Sequence, residues 1–97
     1  MYTMSMQFVW DDTKRRTNLS DHGLDFDAVP IVFEGLTFTF EDDRFGYSET
    51  RFVTLGVLHG IVVSTVHTEN EHEIRIISFR KATRREIKIY REEINRY

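Results

Sequence analysis

Ninety-seven residues, 40% of them hydrophobic and 30% charged, are enough for one core and too few for two, so any function must be carried by a single domain. The absence of cysteine excludes a disulfide framework and a thiolate metal site, and no apolar run approaches the ~20 residues of a membrane span. The net charge of −3 conceals a dipole: from Arg75 onward eight Lys/Arg stand against three Glu, a local +5 that leaves −8 on the first seventy-four residues, so a phosphate backbone has one obvious place to lie.

The opening Met1-Tyr2-Thr3-Met4-Ser5-Met6 lacks the basic-then-apolar pattern of a signal peptide. A soluble, cytoplasmic protein is expected, one domain over residues 1–97 with residues 1–5 a disordered or variable start. Met6-Gln7-Phe8-Val9-Trp10 reads as a short strand, ended at Asp11-Asp12, where an aspartate caps a helix from about Asp12 to Asp21. His22-Gly23 closes that helix, because glycine takes the left-handed conformation that terminates helices. A shorter helix is expected from Asp25 through Val32, with Phe26, Val29 and Phe33 as apolar positions and Pro30 near its start.

From Leu36 the period changes to two, and Leu36 to Glu41 alternates as a half-buried strand does. A polar loop from Asp42 to Thr50 follows. Arg51–Leu58 and Ile61–Thr68 read as strands joined by the two-residue connection His59-Gly60, a tight hairpin, and Glu73–Arg80 returns as a further strand. Thr83-Arg84-Arg85-Glu86 is a capping box, after which Ile87, Tyr90 and Ile94 recur at helical spacing on a basic helix. The order β-α-(α)-β-β-β-β-α describes an α+β domain in which helices cover one face of a mainly antiparallel sheet and the other face is partly open.

Most hydrolase signatures are missing: no HExxH, no GxSxG, no phosphate-binding glycine loop and no calcium loop. His22, His59, His67 and His72 lack metal-ligand spacing, so no metal and no cofactor is expected. What remains is the basic cluster Arg75, Arg80, Lys81, Arg84 and Arg85, at a strand end and a helix start whose amides also favour an anion. Arginine forks stabilise the charge that gathers on phosphorus during RNA cleavage, and RNA brings its own nucleophile in the 2′-hydroxyl. Commonplace readings stand beside this one: a solvated face for the arginines of a last helix, a packed or edge histidine at His67, and a helix-end residue at His22. Trp10 is assigned to the core, and Tyr47, in a polar loop, to base contact. Direct DNA reading finds no helix-turn-helix punctuation.

Phe8-x-Trp10-Asp11-x-x-Lys14-x-x-x-Asn18-x-x-x-His22-Gly23-x-x-Phe26 resembles the amino-terminal signature of the BrnT toxins. The resemblance continues through Asp43-Arg44, Tyr47, Glu49, Arg51, Gly56 and His67-Thr68 to Arg75-Ile76-Ile77-Ser78-x-Arg80-Lys81-Ala82-Thr83, with Glu86 and Tyr90 beyond. It implies a RelE-like fold, RNA cleavage with translation arrest, and neutralisation by a BrnA-like ribbon-helix-helix antitoxin in a two-plus-two hetero-tetramer that meets DNA only through the antitoxin. Carried across, it places Arg80, Lys81, Arg75 and Arg51 around the scissile phosphate, His67 as proton donor or acceptor, and Glu49 as a base or as the group orienting an arginine. Lys14, Arg84, Arg85 and Lys88 become RNA-backbone contacts. A non-catalytic antitoxin-binding co-repressor is the alternative. One departure is Phe79, where the family shows a small alanine; a ring there either deepens the core or covers part of the site.

Overall fold

The computed structural model of the chain describes residues 6–43, 46 and 48–96. Strand β1 (Gln7–Val9) leads into helix α1 (Asp12–His22), then a 3-10 turn (Phe26–Ala28) that runs directly into helix α2 (Val29–Glu34). Strands β2 (Phe38–Asp42), β3 (Arg51–Leu58), β4 (Ile61–Glu69) and β5 (Glu73–Lys81) follow, and helix α3 (Arg84–Ile94) ends the described order. The five strands form one sheet in the order β1-β5-β4-β3-β2. All neighbours are antiparallel except β1, which pairs parallel to β5 from Gln7↔Glu73 to Val9↔Arg75. No helix of the described residues is long and apolar enough to cross a membrane.

Local chemistry accounts for the boundaries. The Asp11 carboxylate accepts from the Lys14 amide at the head of α1. Asp25 caps the 3-10 turn through the Asp27 amide and at the same time receives Arg15 in a two-pronged pair, 2.8 Å on each prong, which fixes the angle between α1 and the turn. The helix expected over Asp25–Val32 is thus a 3-10 turn followed by an α-helix reaching Glu34, and Pro30 falls in the first turn of α2, where its missing N–H costs no helical bond. At the β3–β4 hairpin both turn residues have positive φ, His59 at 49° and Gly60 at 81°, the backbone that matches the twist of the two strands it joins.

The sheet is covered from both sides, which corrects the expectation that helices lie on one face. On one side Phe26, Val29 and Val32 of the 3-10 turn and α2 pack with Leu58, Val63, Ile76 and Phe79, and Phe8, Trp10 and Phe33 close over them. On the other side α3 lies across β2 and β3, where Tyr90, Val53 and Leu55 form a second core with Phe38, Phe40, Val62, Val66, Ile89 and Ile94. The Tyr90 hydroxyl donates to the Leu36 carbonyl at 2.8 Å and anchors α3 to the approach to β2. Phe79 is fully buried in the first core, so its ring deepens the core and does not cover a site.

Candidate active site

Pleat alternation alone would put Arg75 on the same face as Phe79, four residues on, and therefore inside the first core. The register prevents it. Val66 pairs with Ser78 while His67 pairs with Ile76, so Ile77 is an extra residue in β5, a β-bulge. Beyond the bulge the alternation is inverted: Ile74 and Ile76 are buried in the core face and Arg75 is exposed on the face that carries α3.

Arg75 then falls into a cross-strand row. It pairs with Val9 on β1 and with Thr68 on β4, and Arg51 on β3 pairs with Asp42 on β2. Carried one residue past Phe52↔His67, the β3–β4 register sets Arg51 beside Thr68. Arg51 and Arg75 therefore flank Thr68 two strands apart, about 10 Å between their Cα atoms at the usual strand spacing. Helix α3 packs on β2 and β3, and Arg80, at the other end of β5 from Arg75, meets Glu86 in its first turn. Glu49, exposed, stands two residues before Arg51. Tyr47, expected to contact a base, lies outside the described residues.

Arg80 and Lys81 do not join that row. They stand at the far end of β5, roughly 16 Å along the strand from Arg75 at about 3.3 Å per residue. The Arg80 guanidinium gives Nη1 to Glu86 at 2.8 Å and to the Lys81 carbonyl at 3.1 Å, and Nη2 to the other Glu86 oxygen at 3.1 Å. Glu86 also closes the capping box with Thr83 and receives the Ser64 hydroxyl at 3.4 Å. Burial pushes the Glu86 carboxyl up, but Arg80 and the Thr83 amide outweigh it and hold the group below the ordinary carboxylate range. The arginine expected at the phosphate is thus occupied in fastening α3 to the sheet.

Beyond it, Arg84, Arg85 and Lys88 are exposed, and Arg84, Lys88 and Arg91 line a groove of about 420 Å³ on the outer side of α3. Lys14 stands apart on α1, in a cleft of about 280 Å³ with Thr17, His22 and Ser78.

His67 is not at the surface, and this corrects its expected role in proton transfer to RNA. Its side chain is fully buried, stacked on Phe52 with ring centroids 6.0 Å apart and edge-on to Phe33 at 5.5 Å. Nε2 lies 2.7 Å from the Thr54 hydroxyl, which in turn lies 2.7 Å from that of Thr39. Desolvation lowers its pKa to about 4, so at neutral pH the ring is an uncharged part of a core hydrogen-bond chain. Of the expected site residues the fold brings Arg51 and Arg75 into one row and leaves Arg80, Lys81 and the α3 cations at the other end of the sheet. The sequence reading missed Thr68 as their common neighbour, although the doublet Ile76-Ile77 inside an alternating strand is the trace a bulge leaves. Among the described residues no group of three or more His, Asp or Glu side chains is arranged to hold a metal ion.

A family model described as the ribonuclease toxin BrnT of type II toxin–antitoxin systems matches residues 10–86, well over half of the chain. No curated protein matches it.

Proposed function

The chain belongs to the BrnT family of ribonuclease toxins of type II toxin–antitoxin systems, and from that premise we propose that it is a metal-independent endoribonuclease whose scissile phosphate sits between Arg51 and Arg75. The observation that supports this reading is the row itself: a β-bulge turns one arginine out of the core and into register with another on the same sheet face. Two planar forks converging from either side of the intervening strand β4 suit the non-bridging oxygens of a phosphodiester, and they bind it more tightly as it becomes a dianionic phosphorane.

In this scheme the 2′-hydroxyl attacks phosphorus, Glu49 accepts its proton, and the 5′-oxygen leaves and takes a proton from water. The products are a 2′,3′-cyclic phosphate and a 5′-hydroxyl. Lys81, Arg84, Arg85 and Lys88 carry the flanking backbone, Lys14 supports it from α1, and Arg80 positions α3. Cleavage of cellular RNA arrests translation. The cognate antitoxin that a type II system requires is of the ribbon-helix-helix class in this reading, its dimer setting a two-plus-two assembly.

A second reading has one observation in its favour. With Arg80 held by Glu86 and His67 sealed in the core, the row offers arginines but only a loop carboxylate for proton transfer; a domain that binds antitoxin and co-represses without cutting needs no more. Single-stranded RNA, end-labelled and incubated in excess EDTA with and without ribosomes, separates the two. Cleavage with cyclic-phosphate ends, reduced about 100-fold or more by Arg51→Ala and by Arg75→Ala, supports the nuclease. A wild-type protein inert in both conditions that still binds its antitoxin tightly supports the co-repressor.

A further inference from the structure

Thr68 lies at the centre of the arginine row, one strand from each partner. It is 7% exposed, its hydroxyl is not among the sealed polar atoms of the core, and no side-chain hydrogen bond engages it among the described residues. Packing does not account for that hydroxyl. Valine has the same shape and is at least as favourable in a strand, and Val66 and Val53 occupy the next row of the same face. The position thus holds a short hydrogen-bond donor, buried but not sealed, between two long cations of the same row.

We infer that Thr68 is a third phosphate ligand, donating its hydroxyl hydrogen to a non-bridging oxygen of the scissile phosphate held by Arg51 and Arg75. This rests on the nuclease reading given above. The geometry favours it because strands are about 4.8 Å apart, so Thr68 is within reach of any group that both guanidinium forks grip at once, and it approaches from below where neither arginine does. The donor is preorganised: its residue is paired with Arg75 in the β4–β5 ladder, and no side-chain partner among the described residues has to be released before it turns to the phosphate. As charge accumulates on the phosphorane oxygens the bond strengthens, so the hydroxyl contributes more to the rate than to affinity.

The test uses the full chain carrying Thr68→Val and Thr68→Ser. Single-turnover cleavage of a labelled RNA is measured at saturating protein, and affinity is measured for the same RNA with 2′-deoxyribose at the cleaved position. Thr68→Val is expected to slow cleavage about 10- to 100-fold, the range for one hydrogen bond to a charged group, to weaken binding of the uncleavable RNA only a few-fold, and to leave the melting temperature unchanged. Thr68→Ser is expected to cleave within about threefold of wild type. Cleavage by Thr68→Val within twofold of wild type, or equal impairment of the valine and serine variants together with lowered stability, overturns the inference. If Arg51→Ala and Arg75→Ala retain full activity, the nuclease site itself is misplaced; if they are inactive and Thr68→Val is not, only the role of Thr68 falls. Should wild type not cleave, loss of affinity in Thr68→Val with retention in Thr68→Ser still supports the contact, and absence of RNA binding by wild type overturns both.

Discussion

Asn18 on α1 pairs its amide with the backbone of Phe79 on β5, sixty-one residues away: Nδ2 donates to the Phe79 carbonyl at 2.7 Å and Oδ1 accepts the Phe79 amide at 3.0 Å. Strand β1 pairs with β5 only as far as Arg75, so one side chain continues the ladder where the edge strand ends. Nδ2 also reaches the Leu24 carbonyl at 3.0 Å and ties down the chain after α1. Replacing Asn18 by alanine strands a buried N–H and a buried C=O, a cost of about 2–6 kcal/mol at roughly 1–3 kcal/mol for each unsatisfied group. Asn18→Asp separates the two halves of the interaction. At neutral pH its carboxylate still accepts from Phe79 but faces two carbonyls with no donor, so its deficit against wild type should be larger at pH 7 than at pH 4.5, where protonation restores a donor. Denaturant melts at the two pH values check this; equal deficits at both would contradict it.

Gly56 is the place where α2 comes closest to the sheet. A Cβ there would lie 2.5 Å from Val32 Cγ1 and 3.3 Å from Thr37 Cγ2. Val32 is fully buried in the first core and has no free space to move into. Gly56→Ala is therefore expected to destabilise by about 1–3 kcal/mol through overpacking, a fall of several degrees or more in melting temperature for a domain of this size. Adding Val32→Ala should recover part of the loss, because the added methyl then occupies volume the valine vacates. Strictly additive losses would show that the two do not meet.

His67 gives the fold a pH dependence of known sign. Its folded pKa of about 4 lies below the 6.5 of an exposed imidazole, so between those values the unfolded chain binds the proton that the folded chain refuses. Stability is fully present above about pH 6.5, falls as the pH drops towards 4, and levels off below. The loss can reach roughly 3 kcal/mol at 1.36 kcal/mol per pKa unit. His67→Gln, which offers an amide to Thr54 and adds no titrating group, should lose stability at neutral pH yet stay nearly flat down to about pH 5, above the ordinary carboxylate range. The carboxylates of Asp25 and Glu86, both held below their usual range, begin to add their own loss at the acid edge of the His67 window, as the pH falls through their ordinary values. Urea midpoints from pH 4 to pH 8 for both proteins decide the point.

Much of this fold is readable from local patterns. Asp11, Asp25 and the Thr83–Glu86 box are caps whose partners lie within three residues, and the hairpin at His59-Gly60 is set by two positive φ angles, so short-range chemistry determines them. The family resemblance reached the fold class for the same reason that it spans most of the chain. What could not be read depends on register. A single extra residue at Ile77 decides whether Arg75 faces core or solvent, and its one local trace, the doublet Ile76-Ile77, reads equally well as two ordinary apolar strand residues. Arg80 and Glu86 are six apart in a stretch that reads as a strand end and a helix start, so whether the arginine is available to a phosphate depends on how the chain turns between them. The family resemblance puts His67 forward for proton transfer, against the packed histidine that strand alternation suggests; its burial comes from Phe33 and Phe52, which belong to other elements.

The Arg80–Glu86 pair leads to the last prediction, which separates a helix anchor from a phosphate ligand. Both groups are partly shielded, with side-chain exposures of 30% and 15%, and the two-pronged geometry of 2.8 and 3.1 Å is the stronger kind of ion pair. Removing one member leaves the other desolvated without its partner, so Arg80→Ala and Glu86→Gln should each destabilise by about 1–3 kcal/mol, less than the 3–5 kcal/mol of a fully buried pair. The double variant should cost clearly less than the sum of the two, a coupling of about 1 kcal/mol or more. Activity then discriminates. An anchor predicts that Glu86→Gln and Arg80→Ala reduce RNA cleavage together and modestly, in step with the loosening of α3, and that Arg75→Ala is far worse than either while remaining as stable as wild type. A phosphate ligand predicts the reverse for Glu86→Gln: freeing Arg80 from its carboxylate would raise RNA affinity even as stability falls. Melting curves and RNA cleavage on the four proteins distinguish the two, because only the anchor makes stability and activity fall in the same variants.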